Sequence, residues 1–222
     1  MALMQSRINF IFLCCIILLN ACARKQPSVV LPWSKPEPEP VLAYMIRDYQ
    51  GRSEGAEIPE WVAAYNHGGE SEIESMDQYH DFHTFVANNA GANPGALELW
   101  MDGFKPELDF SLLVTDRMVR RLTSAAFLYP DHVYGAFFEA VVRAAADANY
   151  PDPVKTDQFW QLKKYVDNDR EEYEFLILVC IDKRLFRQRI YRLFENLKLD
   201  PELTKDQAVA VRNIKARFFD QF

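Results

Sequence analysis

The sequence predicts an α+β fold, an antiparallel sheet of about three strands with amphipathic helices packed on it. Two patterns carry this prediction. Short aromatic and β-branched runs at 82–87, 158–166 and 173–181 are bounded by turn residues. Over helix-length segments around them, apolar residues recur at three- and four-residue steps. A composition of 49% apolar and 26% charged residues excludes a wholly disordered, collagen-like or polytopic membrane chain. With 25 basic and 32 acidic residues the formal charge is −7, which argues against nucleic acid as the main partner, since a phosphate backbone calls for a basic face.

Residues 43–77, rich in Gly and Glu, read as mostly loop with a short helix at Pro59–Tyr65, where Pro opens the first turn. Phe82–Ala87 is a strand closing at the turn cluster Asn88-Asn89-Ala90-Gly91. Asn93-Pro94 is an N-cap followed by a first helical residue, and that helix stops near Gly103. From Pro106 to about residue 127, Phe110, Leu113, Val114, Met118 and Leu122 share a stripe, with Arg117, Arg120 and Arg121 assigned to the other side. A helix over 131–148 presents Phe137, Val141 and small residues, and Tyr150-Pro151-Asp152-Pro153 stops it. The run 158–166 alternates, with Trp160, Leu162 and Val166 on one side and Gln161 and Lys163 on the other. The 167–171 turn leads to Phe175–Ile181, which is apolar on both faces and therefore central. Trp61, Trp100, Phe159 and Trp160 are expected in the core. Helices near 183–197, capped by Asp182, and 204–219 close the chain. The expected layering puts 106–127 and 131–148 on one sheet face and the C-terminal pair on the other or at an edge.

The first 22 residues read as an address. One basic residue, Arg7, precedes Ile8–Leu19, apolar except for Asn9. Twelve helical residues span about 18 Å, short of the ~30 Å hydrocarbon core, so this is a cleaved secretory leader rather than a membrane span. Leu19-Asn20-Ala21-Cys22 resembles the lipobox of bacterial lipoproteins. That resemblance implies cleavage before Cys22, lipidation of its thiol and acylation of the new amine. Ala23, rather than Asp, points to the outer membrane by the enterobacterial sorting habit. Of four cysteines, Cys14 and Cys15 leave with the leader and Cys22 carries lipid, so Cys180 stands alone and no intramolecular disulfide is expected. Pro27, Pro32, Pro36, Pro38 and Pro40 favour polyproline II, a tether of up to about 60 Å. The expected organisation is a signal peptide at 1–21, an anchored Cys with tether or loop at 22–57, and one α+β domain at 58–222.

Candidate chemistry is sparse. Gly51-Arg52-Ser53-Glu54-Gly55 spells Gly-x-Ser-x-Gly, but no apolar strand is read before it, so Ser53 is not expected on a nucleophile elbow. Asp77, His80, Asp81 and His83 are zinc-type ligands, yet on a strand only Asp81 and His83 share a side. Cys180 lies in the most apolar strand, where burial makes a thiol inert. Gly91-Ala92-Asn93-Pro94-Gly95 sits where phosphate cradles sit but lacks the following Lys-Ser/Thr. Glu171, Glu172 and Glu174 are read as turn residues. No catalytic, cofactor or metal residue is assigned. Residues 23–153 hold ten basic and twenty acidic residues, and 154–222 fourteen and twelve. Lys183, Arg184, Arg187, Arg189 and Arg192 form a basic run, read first as the solvated side of an amphipathic helix and second as a face for anionic headgroups or an acidic partner.

The lipobox, the Pro-rich spacer, Pro59-Glu60-Trp61-Val62 and Ile181-Asp182-Lys183-Arg184-Leu185-Phe186-Arg187-Gln188 together resemble small lipoproteins of spirochaetes whose function is unassigned. They also resemble a wider group of envelope lipoproteins named for a Helicobacter surface antigen. The likeness spans about residues 58–197 in patches and brings no catalytic residue with it. The expected function is that of a lipid-anchored, non-enzymatic envelope protein that binds or scaffolds an envelope partner. The alternatives are a binding protein for a small ligand or lipid, and an envelope hydrolase.

Overall fold

Phe175–Ile181 lies in an interior strand of the sheet with both faces covered, as its unbroken apolarity requires. The computed structural model describes residues 43–150, 152–197, 199 and 203–220. Along the chain run β1 (Tyr44–Tyr49), α1 (Glu60–Gly68), α2 (Glu70–Glu74), β2 (Phe82–Gly91), α3 (Pro94–Gly103) and α4 (Pro106–Ala126). Then come α5 (Asp131–Ala146), β3 (Val154–Tyr165), β4 (Glu171–Asp182), α6 (Lys183–Glu195) and α7 (Lys205–Asp220). The leader, Cys22 and the Pro-rich tether lie outside the described residues.

The class is α+β, with helices packed on an antiparallel sheet of four strands in the order β1-β3-β4-β2. The expected three strands are present, and β1 is the fourth. It lies in the 43–77 stretch read as mostly loop and in the segment assigned to tether or loop. Its YMIRDY sequence breaks alternation, and its pairing with β3 carries a bulge between Ile46 and Asp48, which hides the period-two signal. β2 likewise runs on through Asn88–Gly91, read as a turn, because those residues pair with Tyr173–Leu176. Glu171, Glu172 and Glu174 belong to β4 rather than to a turn.

Strand parity sorts the two faces. On one, Val86, Phe159, Leu176, Leu178 and Cys180 pack with Trp61 and Val62 of α1 and Ile73 of α2. On the other, Phe85 meets Phe110 of α4 and Phe186 of α6 at ring-centroid distances of 4.8 and 5.5 Å. This corrects the expected layering. α4 and α6 share a face, and the opposite face is covered by two short helices from the supposed loop. α5 and α7 form an outer layer tied to α6 by aromatic contacts, Phe137–Phe194 and Phe194–Phe218. The two sides of β3 are those expected, but the one with Gln161 and Lys163 is the more buried. Phe159, Gln161 and Lys163 are buried, while Trp160 is half-buried and Val166 exposed. Trp61 is a core residue, anchored by its indole N–H donating to Asp157 at 2.8 Å, and Trp100 is half-buried.

Local signals explain the junctions. Asn93 caps α3 by accepting from the Ala96 N–H, and Asp182 caps α6 by accepting from the Leu185 N–H at 2.9 Å. Gly51 closes the turn after β1 with φ +78°, and a Cβ there would stand 2.8 Å from that of Ala56, so only glycine fits without a shift. Among the described residues no helix is long and apolar enough to cross a membrane.

Ile177 is fully buried and Leu99 is 75% exposed. Ile177→Ala should cost about 2–5 kcal/mol and Leu99→Ala less than about 0.5 kcal/mol. Urea midpoints of the two variants test this, and similar midpoints would place the core elsewhere.

Candidate functional site

β2 is an edge strand, so the N–H and C=O groups of Thr84 and Val86 that point away from β4 have no partner strand. Side chains take that place. Glu74 accepts from the Thr84 N–H at 3.0 Å, and Glu70 accepts from the Val86 N–H at 3.1 Å. Arg117 donates to the Thr84 carbonyl. The same guanidinium pairs with Glu70 and with Glu74, each at 2.9 Å, and lies over the Phe85 ring at 3.6 Å from its centroid. Arg120 adds a contact of 3.3 Å to Glu70 and pairs with Asp116 on its own helix. The cap thus joins α2 to α4 across the edge of the sheet.

The helical spacing explains why these groups converge. Glu70 and Glu74 are four residues apart and share a face of α2. Arg117 is three residues after Val114 on α4 and lies on the buried stripe, not on the solvent side assigned from sequence. Burial pushes the Glu74 carboxyl up, but the His83 hydrogen bond, the Arg117 charge and the Thr84 N–H outweigh it and hold the group at about 2. Burial lowers His83, against the Glu74 hydrogen bond that raises it, with Nδ1 placed 3.3 Å from Glu74 Oε2.

Beside the cap runs an open groove of about 940 Å³. Its floor holds Glu70, Glu74, Arg117 and Asn88, and its far wall is Trp100, Phe104 and Leu112 from α3, the segment after it, and α4. Leu99 and Leu112, 75% and 68% exposed, form the lip. Tyr65 lines the near side with its hydroxyl accepting from Asn88, and burial together with Glu174 and Glu70 raises that phenol to about 12.

A second polar cluster sits under α1. Lys163 pairs with Glu174 at 2.7 Å, Gln161 donates to Glu174 at 2.6 Å, and Asn66 and Gln161 exchange reciprocal amide hydrogen bonds. These partners are why Gln161 and Lys163 can face inward.

The residues whose types suggest chemistry are dispersed. Ser53 follows a strand after all, β1, but stands exposed in a single 3-10 turn, and among the described residues no histidine is hydrogen-bonded to it. His80 is exposed and pairs with Asp81, whereas His83 is buried against Glu74 and Phe186, so the histidines part company. Among the described residues no three His, Cys, Asp or Glu side chains are grouped as a metal site. Cys180 is buried, and burial pushes its thiol up. The Gly91–Gly95 loop spends Asn93 on capping α3. Sequence reasoning missed the Glu70–Glu74–Arg117 cap. The findable signal was Arg117 falling on an apolar helical stripe. No protein-family model matches the chain, and no curated protein or solved structure matches it.

Arg117→Met leaves half-buried Glu74 and the Thr84 carbonyl without their guanidinium and Glu70 with Arg120 alone, a loss of about 3 kcal/mol. Urea denaturation reads this directly, and a loss below about 1 kcal/mol would contradict the cap.

Glu74 and His83 both have folded values below their ordinary 4.5 and 6.5, so the unfolded chain binds more protons. Their contribution to stability is therefore full above about pH 6.5 and falls as pH drops, first as His83 charges on unfolding and then from 4.5 towards 2 as Glu74 protonates. The Glu74 part is worth about 3 kcal/mol. A pH series of denaturation midpoints should show this acid limb shrinking in Glu74→Gln, and an unchanged limb would contradict the assignment.

Proposed function

We propose that this chain is a lipid-anchored bacterial envelope lipoprotein, tethered through Cys22, whose α+β body is a non-enzymatic binding or scaffolding module. The leader, the Leu19-Asn20-Ala21-Cys22 box and the Pro-rich spacer support the anchor, and Ala23 supports the outer membrane. The observation that carries the binding reading is the groove beside β2. It is open, about 940 Å³, and pairs an exposed leucine lip with a charged floor whose carboxylates are already engaged by backbone N–H groups and Arg117. A site of that kind holds apolar groups of a partner on Leu99, Trp100 and Leu112 and meets polar groups at Asn88 and Arg120. An envelope protein is the leading occupant. The small-ligand or lipid-binding alternative draws on the same groove, with a ligand of a few hundred Å³ seated against Phe104.

Two experiments test the proposal. Cys22→Ser should abolish detergent-phase partitioning and fatty-acid incorporation, and unchanged partitioning with the leader intact would overturn the anchor. Leu99→Asp with Leu112→Asp in the lipidated chain should leave stability within about 0.5 kcal/mol, because both side chains are exposed, and should abolish a cross-link formed in intact envelopes from a photoreactive residue at Asn88. A cross-link equally strong in the double variant would remove the groove from the interaction.

A further inference from the structure

A different part of the surface concentrates positive charge in a concavity. Between α5 and α6 lies a pocket of about 470 Å³ lined by Arg143, Arg189 and Arg192, with Asp147 as the one acidic side chain among its lining residues. Ala144 and Leu193 belong to its apolar floor. Among the described residues none of the three guanidiniums has an ion pair or hydrogen bond from its side chain. Arg143 and Arg192 stand in the last turns of their helices, where the helix dipole favours a cation. Arg189 lies one turn earlier and is half-buried beside Tyr150, so the dipole does not account for it. Arg143 and Arg192 are exposed and Arg189 is the partly desolvated member, and a bound anion would supply its counter-charge.

The geometry points to a phosphate-binding site in this pocket that takes an anionic amphiphile, a phospholipid headgroup in chemical class. Guanidinium forks match phosphate oxygens two at a time, and three of them from two helices line this one pocket. The floor of Ala144 and Leu193 suits the glycerol and first methylenes of such a molecule and has no use for a free phosphate ion. The remaining basic residues of α6, Arg184 and Arg187, are exposed outside the pocket, with Arg187 lying over the Tyr191 ring. They carry the same charge without the concavity and serve as the internal comparison. This site is separate from the groove beside β2 and does not depend on lipidation at Cys22.

The test uses the full chain in nonionic detergent, with isothermal titration of monomeric dihexanoyl-phosphatidylglycerol, dihexanoyl-phosphatidylcholine and inorganic phosphate. The anionic lipid should bind at least tenfold more tightly than either of the others. Arg189→Ala with Arg192→Ala should weaken it at least tenfold, and Arg184→Ala with Arg187→Ala less than threefold. Arg189→Lys with Arg192→Lys, which keeps the charge but loses the fork, should fall between these and carries the comparison if the alanine pair does not fold. Equal weakening by the two alanine pairs, no preference over phosphatidylcholine, or phosphate binding as tightly as the lipid would each overturn the proposal.

Discussion

The hydrogen-bonding deficit of an edge strand organises this molecule. β2 offers one row of backbone groups to β4 and a second row to nothing, and an exposed row of that kind invites pairing with other chains. Here two glutamates and one arginine occupy it. Because those side chains come from α2 on one side and α4 on the other, satisfying the edge also clamps a helix over each face. The cap is charged, yet each charge has its counterpart and each carboxylate a backbone donor, which is the condition under which buried ions are tolerated. The groove is a by-product of the same arrangement. Residues of α2, α3 and α4 beside the capped edge line it, and Leu99 and Leu112 are its exposed leucines.

Most of the architecture was legible where one physical signal dominated. The apolar run in β4 demanded cover on both faces, and the 3.6-residue stripes of α4 to α7 marked helices within a few residues of their bounds. Asn93 and Asp182 marked helix starts because a side-chain oxygen there has one strongly favoured use. The failures have equally local causes. β1 is six residues long with a bulge, so alternation could not accumulate. β2 ends in Asn88-Asn89-Ala90-Gly91, residues with turn preferences, and its pairing with β4 overrides them. In β3 the hydropathy pattern pointed the wrong way, because inward positions belong to Gln161 and Lys163, whose partners are Glu174 on the facing strand and, for Gln161, Asn66 far away in sequence.

The candidate site was less legible than the fold. Its pieces, Glu70, Glu74, His83 and Arg117, are spread over three elements, and no short motif joins them. Ser53, Cys180 and the 77–83 cluster drew attention because their residue types are reactive, but reactivity depends on neighbours that only the tertiary structure assigns. The proposed function therefore leans on two sources of different kinds, a leader and tether read from sequence and a groove read from geometry.

Side chains replace a missing strand along β2. Native-state hydrogen exchange of individual amides measures that substitution most directly. The Thr84 and Val86 amides, which point off the sheet, should exchange only through openings nearly as costly as those of central β4 amides such as Ile177. The amide of Ala90, on the same edge beyond the cap, should exchange far faster. If Thr84 and Val86 exchange as readily as Ala90, the glutamates do not hold the edge.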